Sequence, residues 1–442
     1  MRSHALLDHP EAETFQRGLG ENHLSKLEFL LAQRLRHLHN PEVPWPRMGQ
    51  LEARALAHSE ALHAGGEAGL SQARELLAQE DVDRVRAGAY ALALHGAQGM
   101  DEVLRALARS SGELLPAWFE ALALVPHSAV AVGLHRLLGS HLPEVRASAA
   151  QLLGWRREGE AARLLPLLAD SFSPVRMAAA LALARLRHLP ALQALEARAL
   201  QSSPTEAAEL LRAAVLLGSS GALQQVRHLC DSTREPPALL LHLLALAGEE
   251  MDVVRLQRWV AQPSLTAPTL QVLGVLGVPS TVPMLLEHLG AEEPETSLAA
   301  AGALALMTGA PLLHQVRLRS DSDEEGEEPS GPRVELPVTE PNPWQSWWKE
   351  NRARFSQAPR WRRGKPFSVG ACLAELKEPY SSLEMRTRAA WELTLRTRQL
   401  VDFEPDWPVV RQQQALNQWQ KMLELRGNGW DWMRTAELGR RS

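Results

Sequence analysis

The sequence predicts an all-α protein, an α-solenoid of short helix hairpins closed by a helical, tryptophan-rich C-terminal cap. Three observations carry this prediction. A short phrase recurs on a 30-residue ruler, and self-similarity at a fixed period is the signature of a stacked repeat array. Leucine and alanine dominate while aromatics make up only 5% of residues, a composition suited to closely packed helices. No segment shows sustained apolar/polar alternation bounded by hairpin turns, so strands are not expected. At 442 residues the chain exceeds a single ordinary core, as an elongated array or several domains require.

The repeat is read from Val85-Arg86, Pro143-Glu144-Val145-Arg146-Ala147 and Ser173-Pro174-Val175-Arg176-Met177, whose arginines lie 60 and 30 residues apart. The same ruler lands on Pro116, Glu206, Pro236, Thr266 and Thr296, most of them beside a proline and ahead of an Ala/Leu-rich run. Proline suits the first turn of a helix, where its missing N–H costs nothing and its fixed φ is already helical. Helices are therefore expected to start at Pro143 and Pro174. From there Val175, Ala179, Ala182, Leu183 and Leu186 fall on one face, and Val145, Ala149, Leu152 and Leu153 repeat the pattern, giving one buried stripe per helix. Alanines on the stripe let neighbouring helices approach. Gly154, Gly218, Gly248 and Gly277 fall where the chain leaves the helix. A shorter helix precedes each long one, as at 162–170 and 283–289, and such a hairpin buries its faces only by stacking on its neighbours.

The phrasing Asp-x-x-Pro-x-Val-Arg-x-x-Ala-Ala, best kept in residues 143–154 and 173–184, resembles the phycobilisome-lyase type of HEAT-like repeat over about residues 81–309. Three further segments are similar to an uncharacterised family of proteobacterial HEAT-repeat proteins often encoded near type VI secretion genes. They are Leu51–His58 with Gly65-Gly66, the Trp344-x-x-Trp347-Trp348 helix, and Arg362–Pro366 followed by Met385–Leu393. The resemblance implies a HEAT-like array and an accessory role in an effector-delivery system, with no catalytic motif to carry over. In such repeats an arginine at the position of Arg86, Arg146 and Arg176 commonly pairs with an acidic residue of the inter-helix turn. Asp83, Glu144 and Asp170 stand ready for this, and structural pairing is preferred over an anion-binding ladder.

Four regions are expected: an N-terminal helical cap (1–70), the HEAT-like array (71–312), an acidic disordered linker (313–340) and a Trp-rich helical C-terminal region with a further HEAT-like unit (341–442). Residues 320–328 hold six carboxylates among Gly, Ser and Pro, which have nothing to bury. After them come nine of the thirteen tryptophans, at 344, 347, 348, 361, 391, 407, 419, 430 and 432. Large aromatics bury much area per residue and suit the closing of an array's exposed apolar end. Trp430 and Trp432, beside Gly427 and Gly429, do not share a helix face and are read as an exposed docking tail. Residues 341–442 carry 18 Lys+Arg against 11 Asp+Glu, leaving 29 against 41 in the rest. The run Arg352, Arg354, Arg360, Arg362, Arg363 and Lys365, interleaved with Trp361 and Phe367, has the composition of a nucleic-acid or phosphate site. The net charge of -5 and the adjacent acidic linker weigh against that reading.

No His-Glu dipeptide exists of the kind a di-iron hydroxylase on HEAT repeats uses, and no Cys-x-x-Cys, His-Glu-x-x-His, Gly-x-Ser-x-Gly or phosphate-binding glycine loop occurs. Cys230 and Cys372 are too few for a disulfide framework. No catalytic, cofactor-binding or metal residue is assigned, and no cofactor is expected. The N-terminus lacks the apolar core of a signal peptide, and the uncharged stretch Leu298–Leu313 falls short of the roughly 20 residues that span a bilayer, so a cytoplasmic protein is expected. The function expected is a non-catalytic protein–protein interaction scaffold, an adaptor or chaperone of a type VI secretion effector module. The alternatives are an immunity protein that blocks a toxin and a lyase or metal-dependent hydroxylase on the same scaffold. The second helices would present Glu120, Gln151, Arg185, Glu209, Arg212 and Gln271 in a groove, with Trp430 and Trp432 as further partner contacts.

Overall fold

The computed structural model of the protein describes residues 12–110, 112–320, 323, 328–397 and 401–426. Its contacts divide into two compact units. Unit 1 takes in the chain up to His39, Val43–His188 and Asp406–Gln412, and unit 2 takes in Asn40–Glu42, Leu189–Pro405 and the chain from Gln413 onward.

Unit 1 opens with α1 (Ala12–Leu38), α2 (Met48–Ala64) and α3 (Glu67–Leu76). Helix pairs follow: α4 (Val82–Leu94) and α5 (Ala97–Leu107), then α6 (Leu115–Leu124) and α7 (Ala129–Leu137), then α8 (Pro143–Arg156), then α9 (Ser173–Arg185). The starts have local causes. The Asp81 carboxylate accepts from the backbone N–H groups of Asp83 and Arg84 and caps α4, while Pro116, Pro143 and Pro174 occupy the first turns of α6, α8 and α9. The short helix expected at 162–170 is instead a 3-10 helix, Ala161–Ala169, with Pro166 inside it, because proline removes the N–H that an α-helical ladder needs there.

Unit 2 continues the pattern with α10 (Leu192–Ala199), α11 (Pro204–Leu216), α12 (Ser220–Ser232), α13 (Ala238–Ala247), α14 (Val253–Gln257), α15 (Thr266–Leu276), α16 (Val282–Glu287) and α17 (Pro294–Thr308). All eight ruler positions fall within the first five residues of a long helix or, for Pro236, two residues before one. The predicted stripe is the core: Val145, Ala149, Leu153, Val175, Ala179 and Leu183 are fully buried. Successive long helices touch backbone to backbone. A Cβ on Gly154 would lie 2.5 Å from the Ala182 Cα, and one on Gly274 would lie 2.5 Å from the Ala303 Cα, so glycine on one helix and alanine on the next set the spacing between repeats.

The expected linker differs from what the structure shows at its flanks. Two strands, β1 (Leu313–Arg317) and β2 (Arg333–Pro337), pair antiparallel with Leu313 opposite Pro337 and Arg317 opposite Arg333. The acidic stretch lies between them, and most of it is outside the described residues. The chain then forms α18 (Pro341–Asn351), the two-residue strands β3 (Trp361–Arg362) and β4 (Lys365–Pro366), α19 (Val369–Lys377), α20 (Leu383–Thr397) and α21 (Val409–Arg426). The Trp-rich cap is present: α18 packs on α16, Trp344 is buried, and Trp347, Trp348 and Trp361 surround Phe355 at ring distances of 6.1, 5.2 and 4.6 Å.

Candidate interaction sites

The arginine ladder is built into the repeats. Arg146 forks onto Asp170, Nε to Oδ2 at 2.8 Å and Nη2 to Oδ1 at 2.9 Å, and its Nη1 donates to the Ser140 carbonyl. Arg176 donates to the carbonyls of Asp170 and Ser171, so one turn is held by the arginines of two successive repeats. Arg86 pairs with Asp83 and, at 2.7 Å, with Glu120. Of the expected partners Asp83 and Asp170 serve, Arg146 reaching forward to the acidic residue of the following turn. Arg227 repeats the fork on Asp252 in unit 2 at 2.9 and 2.8 Å.

The six expected groove residues fall three in each unit. In unit 1 Glu120 is half-buried and held by Arg86, Arg185 is half-buried at the end of α9, and Gln151 is exposed. In unit 2 Glu209 pairs with Arg212 one turn on, the Arg212 guanidinium lies 5.1 Å from the centre of the Trp391 ring on α20, and Gln271 is exposed. In unit 2 the C-terminal region thus packs against Arg212 through Trp391. Trp430 and Trp432 lie outside the described residues.

The basic run packs on the ends of the long helices of the same unit, and Arg396 of α20 joins it there. Long helices end with unsatisfied carbonyls and the negative pole of the helix dipole, and these arginines answer both. Arg360 donates Nε to the Leu276 carbonyl at 2.6 Å and Nη2 to that of Ala245 at 3.2 Å; Arg362 reaches the Val275 carbonyl at 2.8 Å; and Arg396 reaches those of Leu246 and Gly248 at 3.0 Å each. The ends of α13 and α15 are capped in this way. Backbone contacts add to it: Trp361 N–H donates to Gly277 O, Arg363 N–H to Leu306 O and Gly364 N–H to Met307 O. Gly277 ends α15 at φ 70°, and a Cβ there would stand 2.3 Å from the Trp361 carbonyl oxygen, so both conformation and space require glycine.

Beneath this clip sits the densest ionisable cluster among the described residues. Arg362 bridges Glu392 at 2.6 Å and Glu375 at 3.3 Å, and Arg388 adds two bonds to Glu375 at 2.9 Å. Burial alone pushes the Glu392 carboxyl up, but Arg362, Arg388 and Arg360 beside it outweigh this and hold it below its ordinary value. The Cys372 thiol donates toward Glu392 and is raised well above its usual value by burial and that carboxylate, the reverse of what a nucleophile needs. Burial likewise pushes the Cys230 thiol up to about 12. His242, edge-on to Trp391, is pushed down to about 4, chiefly by burial. The whole cluster is turned inward. From the sequence, Arg362 and Arg363 read as part of a basic run and Met385–Leu393 only as a family resemblance, so the pairing of the two segments was missed.

Unit 1 holds two further features. A cleft of about 570 Å³ is lined by Arg74, Leu77, Arg105, Arg109, Ser110 and Trp118 among others, none of them an expected site residue. Separately, Asp406–Gln412 lies against the end of α8. The Trp407 indole donates to the Trp155 carbonyl at 2.8 Å, the Trp155 indole to Asp406 Oδ1 at 2.9 Å, and Arg411 Nη2 to the Arg156 carbonyl at 2.8 Å. Among the described residues no group of three or more His, Cys, Asp or Glu side chains is placed to hold a metal ion, and no helix is long and apolar enough to cross a membrane.

No family model matches the chain, and no curated protein matches it. Among solved structures, the crystal structure of an engineered protein is similar over 68% of this chain and 86% of its own, at 18% identity and a TM-score of 0.25, a likeness too slight to carry any argument.

Proposed function

We propose that the protein is a non-catalytic scaffold that binds another protein. The observation that supports this most is the fate of its ionisable groups: Arg362, Arg388, Glu375, Glu392 and Cys372 are buried and hold helix ends together, so the densest charge cluster serves architecture. By the resemblance of its repeats and flanking segments, the partner is an effector or a component of a type VI secretion module, met in the cytoplasm, and the role is that of adaptor or chaperone. The test is a pull-down from the native host with mass spectrometry, beside elemental analysis of the purified chain. Enrichment of one effector or secretion component is expected. Stoichiometric iron or zinc, or enrichment of nothing above background, overturns the reading.

A further inference from the structure

The segment Asp406–Gln412 is held in unit 1 while the residues before and after it group with unit 2. Its attachment is that of a bound peptide. Arg34 on α1 and Glu52 on α2 form an ion pair at 2.7 Å, and each uses a second group to grip one end of the segment: Arg34 Nη2 donates to the Asp406 carbonyl and Glu52 Oε2 accepts from the Val409 N–H, both at 2.8 Å. Between these grips Trp407 is 1% exposed, edge-on to Trp155 at 6.3 Å, with the guanidinium of Arg157 over it at 5.6 Å. Val409 rests on Gly49, where a Cβ would approach to 3.2 Å. The slot therefore reads four things: an acidic side chain against the Trp155 indole N–H, an indole N–H against the Trp155 carbonyl, a backbone turn, and a small apolar side chain at a helix start. The Arg34–Glu52 ion pair, Nε to Oε1 at 2.7 Å, holds the two wall groups in place, while Arg34 Nη2 and Glu52 Oε2 are the atoms that take the segment.

We infer that this slot is a recognition site for a partner segment of the form Asp-Trp-Pro-Val at the start of a helix, and that Asp406–Val409 is its occupant in cis. The inference rests on the scaffold reading and names its partner chemistry. A tethered occupant is present at an effective concentration on the order of millimolar, so a free segment making the same contacts competes only when the cis copy is weakened or when it binds well below that concentration.

The test uses a labelled synthetic peptide of residues 401–412 and the full chain, read by fluorescence anisotropy. The peptide is expected to bind the Trp407→Ala chain about tenfold or more tightly than the parent, and to raise that variant's melting temperature, since a ligand of the native state alone stabilises it. Adding Glu52→Gln to Trp407→Ala is expected to weaken the peptide about tenfold, equivalent to about 1.4 kcal/mol. Trp407→Phe, which keeps the ring and drops the N–H donor, serves where the alanine variant does not fold. Binding equal in parent and variant, or no binding to a cooperatively melting variant, overturns the inference. So does failure of both variants to fold, which makes the segment a core element. These outcomes are independent of the host pull-down, which reads the scaffold role by itself.

Discussion

Arg146 is worth more to the fold than a surface ion pair because its fork ends on a carboxylate that is itself 9% exposed. Removing the guanidinium strands that carboxylate, and leaving a buried polar group unsatisfied costs about 1 to 3 kcal/mol. Arg146→Ala is therefore expected to lower thermal stability by that amount; a melt that matches the parent would sink the structural reading of the ladder. The hydrogen bond from Arg146, chiefly, holds the Asp170 carboxyl below its ordinary value. A carboxylate with a depressed folded value contributes stability that is present above its unfolded value and lost as pH falls through the folded one. The gap between parent and Arg146→Ala should accordingly narrow as pH falls below about 3.8. Histidines have the opposite charge logic. His58, His95 and His135 are lowered mainly by burial, and His242 is pushed to about 4. The native state binds fewer protons than the unfolded chain at these sites, so stability is full above about 6.5 and falls as pH drops toward 4. Denaturant midpoints taken across that window should decline, and His242→Gln should flatten the decline.

At the scale of the helix, spacing between repeats depends on pairs of very small residues. Gly154→Val forces its side chain into the Ala182 backbone, which stood only 2.5 Å from a bare Cβ, and overpacking of this kind costs about 1 to 3 kcal/mol. Calorimetry of Gly154→Val beside Gln151→Val, an exposed position on the same helix, is expected to show the loss only in the first. These long helices were legible in the sequence because their causes are local: a proline in the first turn, an apolar stripe and, for α13 and α15, a glycine at the exit, whereas Gly154, expected at an exit, lies inside α8, which ends on Arg157 at φ 55°. The β1–β2 hairpin was not. Leu313-His314-Gln315-Val316-Arg317 and Arg333-Val334-Glu335-Leu336-Pro337 each carry a weak alternation, but an acidic stretch of fifteen residues separates them and hides the turn signal by which hairpins are read.

Across the molecule, legibility fell with distance along the chain. Arg360 and Arg362 had the composition of a phosphate-binding run because nothing within ten residues of them reveals which helix ends they will reach, and Arg396 drew no reading at all; their carbonyl partners lie 84 to 150 residues away. For the same reason Glu209 and Arg212 read as groove residues while Trp391 lies over Arg212. This arrangement predicts two kinds of mutational damage. In a stack of repeats each unit contacts only its neighbours, so Arg146→Ala should raise amide exchange in residues 129–185 of unit 1. Glu392 stands inside a long-range clip, 0% exposed with Arg362 at 2.6 Å. Glu392→Gln keeps the shape but leaves Arg362 and Arg388 short of a counter-charge in a buried site, where breaking a pair costs about 3 to 5 kcal/mol. Because Arg362 also caps α15 through Val275, the loss should spread to residues 238–308 and leave 129–185 protected. Hydrogen exchange read by mass spectrometry on the two variants separates these patterns. If Glu392→Gln leaves protection in 238–308 at the parent level, the buried cluster does not hold the helix ends and the clip is a surface feature after all.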